Sequence, residues 1–376
     1  MQEQKESADK QSCFFHISGI PQVTFFLHST LFHAGGEKNH YLSVFYFEPM
    51  QKIKHFLWIV LIAGLCMLRS TARAQQTPEK FIRETDFLLS LPDGYDKDTT
   101  QRWPLVIFLH GSGESGTDLE KVKVHGPPKL VAAGKKFPFI LVSPQAQHPF
   151  DWEPDNLYHL LMHIKQTYRV EPNRIYLTGL SMGGFGTWAL AMKHPEEFAA
   201  IIPICGGGDT TEAWKLRHTQ VWCFHGALDP VVPVARDSQM IAAIHHYNPS
   251  AKFTVYPDAE HNSWERTYNN DSVYTWMLAQ TKFTYKEVPA NPALLKGYEG
   301  TYLGQQGDTV TIHADQDGLH AGTPHKSFVL KSFDKDAFFI DEHMPVDIQF
   351  IRTPKGKYNS FVVWDQNKNY YRRISK

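Results

Sequence analysis

The chain has 376 residues, 42% of them hydrophobic and 20% charged. That is enough apolar material for two buried cores, and it excludes a disordered chain. Thirty-eight basic residues face thirty-nine acidic ones, a net charge of −1 that excludes nucleic-acid binding driven by bulk charge. Four cysteines, none in a Cys-x-x-Cys pair, exclude a zinc ribbon, a dithiol redox centre and a disulfide-dense scaffold.

From Met50 the chain reads as a secretory signal: Lys52 and Lys54, an apolar run from Phe56 to Leu68, then Ala72-Arg73-Ala74. The run is shorter than the ~18–20 residues a spanning helix needs. Leu65 also occupies the position where a lipid-modified Cys66 wants a small residue. Residues 50–74 are therefore expected to be a signal peptide cleaved near Ala74-Gln75. The product would be secreted or periplasmic, with no stable membrane anchor. Residues 1–49 show neither helical nor strand periodicity, so Met50 reads as the true start and 1–49 as a mis-called or disordered extension. Cys205 and Cys223 then remain, and whether they are bonded stays open.

Residues 80–285 alternate strand and helix signals, which predicts an α/β domain: a mostly parallel sheet flanked by helices. Apolar runs predict buried strands at Pro104–Leu109, Phe139–Val142, Ile175–Leu177, Ala200–Ile204, Val221–Phe224 and Phe253–Tyr256, with Phe87–Leu91 as an antiparallel edge. Helical patterns cover Leu157–Tyr168, Met182–Met192, Val234–His246 and Ser272–Gln280. After a linker at Glu287–Pro292 the period changes to two. Residues 293–376 are expected to form a small all-β, barrel-like domain, its turns at Gly307-Asp308, Asp317-Gly318 and Pro354-Lys355-Gly356.

The chemistry-bearing motif is Gly179-Leu180-Ser181-Met182-Gly183. A predicted strand precedes it and a predicted helix follows, the setting a nucleophile elbow requires. A serine hydroxyl needs a base, and the base needs an orienting acid. Asp229 and His261 each follow a later predicted strand, so all three reach the same sheet edge and predict a Ser181–Asp229–His261 triad. Asp258 and Glu260 stand too close to His261 in sequence to orient it. His110 and His225 precede glycines at strand ends and read as packing residues, and Asp315-Gln316-Asp317-Gly318 reads as a hairpin turn rather than half a calcium loop. The oxyanion hole is expected from the N–H of Met182 and from Ser112 or Gly113 in the glycine-rich loop His110–Gly116. Glu114 either contacts substrate or braces that loop. Trp152 and Trp264 are candidate pocket walls, and Trp188 on the elbow helix is more readily core.

These residues carry a resemblance. With Leu109-His110-Gly111-Ser112-Gly113-Glu114, Gly179 to Gly184, His225-Gly226-Ala227-Leu228-Asp229-Pro230-Val231-Val232-Pro233 and His261-Asn262-Ser263-Trp264, residues 80–285 resemble α/β-hydrolases of the secreted esterase branch. That branch includes polyhydroxybutyrate-depolymerase-like and feruloyl-esterase-like enzymes and predicted peptidases. The resemblance implies a serine esterase without metal or cofactor, acting on a small-molecule or polymer-borne ester. A serine peptidase on the same triad and a non-catalytic glycan-binding protein stay open, as does the oligomeric state. The short segment between the strands at 200–204 and 221–224 leaves no room for a large helical lid.

Overall fold

The computed structural model describes residues 84–150, 152–341 and 346–375. The extension and signal peptide expected over 1–74 lie outside the described residues.

The first domain runs β1 (Phe87–Ser90), β2 (Trp103–Leu109), α1 (Gly126–Ala132), β3 (Ile140–Pro144), α2 (Pro154–Thr167), β4 (Val170–Leu180) and α3 (Met182–Lys193). It continues with β5 (Ala200–Ile204), β6 (Gln220–Gly226), α4 (Ala235–His245), β7 (Lys252–Tyr256), α5 (Ser263–Tyr268) and α6 (Asp271–Leu278). Among the described residues these strands form a seven-stranded sheet, ordered β1-β3-β2-β4-β5-β6-β7. Only β1 is antiparallel, pairing with β3 at the edge.

Strand β2 shows why the sequence settles this way. Leu105, Ile107 and Leu109 pack into the core on one face, and Val106 and Phe108 into the core on the other. Side chains alternate across a strand, so a strand covered on both faces must be apolar throughout. Helix α2 covers one face because Leu157, Leu160, Leu161 and Ile164 recur at helical spacing, and Pro154 begins its first turn.

From β2 the chain moves outward to β3 and then returns through α2 to β4, on the other side of β2. This reversal opens a crevice at the carboxyl ends of β2 and β4. Ligands of open α/β sheets bind in such a crevice. The segment from β5 to β6 forms a tight turn at Thr210–Leu216 whose Ala213, Trp214 and Leu216 are buried. It returns to the core rather than forming a lid over the carboxyl edge.

The second domain begins with helix α7 (Pro292–Tyr298). The helix precedes the strands of the expected barrel. Asn291 caps it through a bond from Ala293 N (3.0 Å), and Pro292 supplies the first turn. Two-residue periodicity is a poor guide over seven residues that a cap and a proline already commit to helix. There follow β8 (Gly300–Gly304), β9 (Thr309–Asp315), β10 (Gly318–Gly322), β11 (Ser327–Asp334), β12 (Ala337–Phe339), β13 (Asp347–Arg352), β14 (Tyr358–Trp364) and β15 (Lys368–Ser375). Among the described residues these eight strands close into an antiparallel barrel. Tyr302, Ile312, Leu319, Phe338, Phe350 and Phe361 fill its interior. Tyr298 of α7 is buried with them, its hydroxyl 2.7 Å from Asp336 Oδ1. Asp315 and Gly318 pair across a two-residue turn, the hairpin expected there.

The barrel docks against the amino edge of the sheet. Arg217 and His218, just before β6, both reach Asp347, at 2.6 and 3.0 Å. Trp214 and Trp364 pack with ring centres 5.6 Å apart, and Lys368 Nζ donates to the Tyr247 hydroxyl at 2.8 Å.

Candidate active site

Ser181 sits between the end of β4 and the start of α3, with φ +53° and ψ −117°. A non-glycine residue holds that conformation only under strain that its surroundings enforce. Two glycines make the turn possible. A Cβ on Gly179 would come within 2.3 Å of the Gly183 carbonyl oxygen, and one on Gly183 within 2.0 Å of that of Leu109. Ser181 N donates to Ile204 O at 2.9 Å, which fixes the elbow to the neighbouring strand.

Asp229 follows β6 and His261 follows β7. The two loops are tied together by bonds from Ala227 N to Tyr256 O (2.9 Å) and from Leu228 N to Ala259 O (3.0 Å). The structure brings the three residues into one chain of hydrogen bonds. Ser181 Oγ lies 2.9 Å from His261 Nε2, and His261 Nδ1 lies 2.7 Å from Asp229 Oδ2. The other Asp229 oxygen accepts from Val231 N and Val232 N, both at 2.9 Å. Burial alone would raise the Asp229 pKa. The His261 N–H and these two amides outweigh it and hold the carboxyl below its ordinary value.

The remaining histidines and acids near this edge have other partners. Asp258 is exposed and paired with Arg266 through two bonds of 2.9 Å, and Glu260 is exposed. His110 is buried, and its Nε2 accepts from Ala146 N at 3.0 Å. Desolvation pushes its pKa down to about 4, so the ring is neutral and Nδ1–H donates to Gly111 O. Glu114 turns inward: its Oε2 accepts from Gly111 N at 2.9 Å and its carbonyl accepts from Gln145 Nε2 at 2.8 Å. It braces the loop and uses up the Gly111 amide, which leaves the amides of Ser112 and Gly113 at the start of a short 3₁₀ turn. The Met182 amide begins α3, where helix N–H groups have no intrahelical acceptor.

Of the expected pocket walls, Trp152 belongs to the core, its Nε1 donating to His110 O at 3.1 Å. Trp188 is fully buried. Trp264 is nearly buried and stands edge-on to His261, ring centres 5.1 Å apart, with His125 on another side at 5.3 Å. It backs the histidine more than it lines an open wall. The exposed apolar groups at this edge are ones the sequence reading passed over: Phe150 after β3, and Leu228 and Val231 beside Asp229. Phe150 N lies 2.8 Å from Met182 Sδ, which ties that loop to the elbow. Alternation identifies buried faces and gives no signal for apolar residues on loops.

His225, read from the sequence as a packing residue, has a buried partner that reading missed: its Nδ1 lies 2.8 Å from Asp237 Oδ2, behind Asp229. Cys205 and Cys223 are both buried free thiols. Cys205, Asp229 and His261 offer ligand atoms within 4.8 Å of one another. Burial holds that thiol protonated, however, and both histidine nitrogens are already engaged. His313, Asp315 and His320 form a second such group on the β9–β10 hairpin.

Comparison with known proteins agrees with this architecture. Residues 137–274, which contain Ser181, Asp229 and His261, match the family described as Phospholipase/Carboxylesterase. Residues 284–370 match a domain described as of unknown function, DUF3471. Poly(3-hydroxyalkanoate) depolymerase C of Paucimonas lemoignei is 31% identical over 28% of this chain and 28% of its own length. The bifunctional acetylxylan esterase/xylanase XynS20E of Neocallimastix patriciarum is 24% identical over 46% of this chain and 26% of its own. The chain thus spans about a quarter of the length of these relatives. A solved structure described as a thermostable esterase aligns with TM-score 0.45 at 31% identity, over 52% of this chain and 59% of that one. The Phospholipase/Carboxylesterase match thus falls within the mostly parallel α/β domain, and a closed β-barrel follows it.

Proposed function

We propose that this chain hydrolyses carboxylic esters through an acyl-enzyme on Ser181. The observation that carries the reading is the hydrogen-bonded chain Ser181–His261–Asp229 at a strained strand–helix turn. Ser181 Oγ attacks the ester carbonyl carbon while His261 Nε2 takes the hydroxyl proton, and Asp229 holds His261 with Nδ1–H facing it. The oxyanion that forms is met by the Met182 amide and by that of Ser112 or Gly113. Collapse breaks the bond to the leaving oxygen, and His261 returns the proton to the departing alcohol. Water then repeats the sequence on the acyl-enzyme and releases the acid.

The substrate we infer is a soluble or polymer-borne ester. The buried β5–β6 segment and the exposed rim of Phe150, Leu228 and Val231 favour an open, partly apolar site. Two relatives are named for polymers that carry esters, a polyhydroxyalkanoate and an acetylated xylan. Export through the signal at 50–74, with a mature terminus at Gln75, is part of the same proposal.

The test is turnover of p-nitrophenyl acetate, methyl ferulate and an aminoacyl nitroanilide by the full chain and by Ser181→Ala. The account expects ester turnover that falls by about three orders of magnitude or more in the variant. Nitroanilide cleavage outpacing both esters would replace the esterase by a peptidase on the same residues. Undiminished turnover by Ser181→Ala would end the serine mechanism.

A further inference from the structure

His225, the penultimate residue of β6, is fully buried and faces acceptors on both sides. Its Nδ1 lies 2.8 Å from Asp237 Oδ2. Its Nε2 lies 2.9 Å from the Val232 carbonyl and 3.3 Å from Asp229 Oδ2. A neutral imidazole has one N–H and one lone pair. Either tautomer would press that lone pair against oxygen at hydrogen-bonding distance, and only the imidazolium donates on both sides.

The partners support the charge. Asp237, on the first turn of α4, accepts from Trp188 Nε1 (2.8 Å) and Gly206 N (2.9 Å) as well as from His225. With the Gly206 amide already donating to Oδ2, that oxygen presents an acceptor to His225 Nδ1. Burial would push the His225 pKa down, but the Asp237 bond, the Val232 carbonyl and the charges of Asp237 and Asp229 raise it. Cys205 and Cys223, the neighbouring thiols, are kept protonated by burial and bring no charge.

We propose that His225 stays protonated through the neutral pH range and is a positioning residue that keeps Asp229 ionised and aimed at His261, with Asp237 as its anchor. The inference rests on reading Ser181, His261 and Asp229 as catalytic. Without this cation, two buried carboxylates would face each other, and one would take up a proton. If Asp229 took it, His261 would lose the anion that orients it. Val232 adds a mechanical link. Its carbonyl accepts from His225 while its amide donates to Asp229 Oδ1, so the turn carrying Asp229 is gripped from both ends.

The first test is histidine-selective nitrogen NMR on the full chain, with the His225 ring assigned by the loss of its signals in His225→Gln. Both ring nitrogens should carry protons from pH 6 to 8, and in Asp237→Asn the ring should lose one at lower pH than in the parent. A neutral ring with one N–H at pH 7 in the parent overturns the proposal. So does a ring unaffected by Asp237→Asn.

The second test is the pH profile of kcat/KM in His225→Gln. Removing a buried cation makes the Asp229–His261 pair bind its first proton more readily, whichever residue holds it. The acid limb should therefore move to higher pH by about one pH unit, so that activity below the limb falls roughly tenfold. Lower activity with an unmoved limb would mean a structural role only, and would overturn the proposal. If Ser181→Ala retained turnover, the triad reading would fail whatever the state of His225. A neutral His225 in an enzyme that needs Ser181 would sink this inference alone.

Discussion

At the carboxyl edge of the sheet the strands end in Ser181, Asp229 and His261, and Ser181 is held in a strained backbone conformation beside an open crevice. At the amino edge the same strands begin beside Arg217, His218 and Trp214, which lock onto Asp347 and Trp364 of the barrel. One edge keeps donors and a hydroxyl free for a reacting group, while the other satisfies its charges and covers its aromatics. On the proposed function, the chemistry belongs to the far ends of the strands, while the barrel packs against the opposite edge. Substitutions at the two edges should therefore separate turnover from stability.

The largest effect is expected from Asp229→Asn. It keeps the shape of the turn but removes the charge that stabilises the imidazolium and fixes the tautomer of His261. Steady-state assays should show kcat lower by about 10³–10⁴ in a variant that still folds. At the other edge, Arg217→Ala should reverse the pattern. It leaves the buried Asp347 carboxylate with His218 alone, at a cost of about 3 kcal/mol in denaturant unfolding. Turnover of a small soluble ester should stay within about twofold of the parent, since the pair lies at the opposite end of the strands. Loss of turnover in a folded Arg217→Ala protein would break the division between the edges.

A smaller effect concerns acid. The Asp229 carboxyl has a lower pKa folded than unfolded, so its stabilising contribution is complete above the ordinary carboxylate pKa of about 4. That contribution fades as the pH falls through the lower, folded value. Unfolding free energies measured downward from pH 5 should therefore fall less steeply in Asp229→Asn than in the parent. Parallel curves would mean that Asp229 is not held ionised by its neighbours.

Much of this was legible in the chain itself. Runs such as Val106-Ile107-Phe108-Leu109 read as strands covered on both faces, and Ser181 between Gly179 and Gly183 marks a turn where a Cβ at either glycine would clash. Order along the chain then brought Asp229 and His261 to the same edge. What could not be read depended on partners distant in sequence. Glu114 could be seen as a loop acid, but not that its carboxylate folds back onto Gly111 N. Nothing around Asp237 announces that a buried indole, a backbone amide and an imidazole converge on it from three other elements. Trp264 was recognisable as a neighbour of His261, yet its edge-on packing against both His261 and His125 follows from where α1 and α5 meet. Helix α7 was legible in Asn291-Pro292 and was hidden by the strand period that follows it.

The most direct test of the central claim is covalent labelling of the full chain with a fluorophosphonate, the adduct mapped by peptide mass spectrometry. An elbow serine activated by His261 predicts a single adduct on Ser181, formed more slowly in Asp229→Asn and absent in Ser181→Ala. An adduct on another residue, or an active esterase that takes up no label at Ser181, would contradict the account.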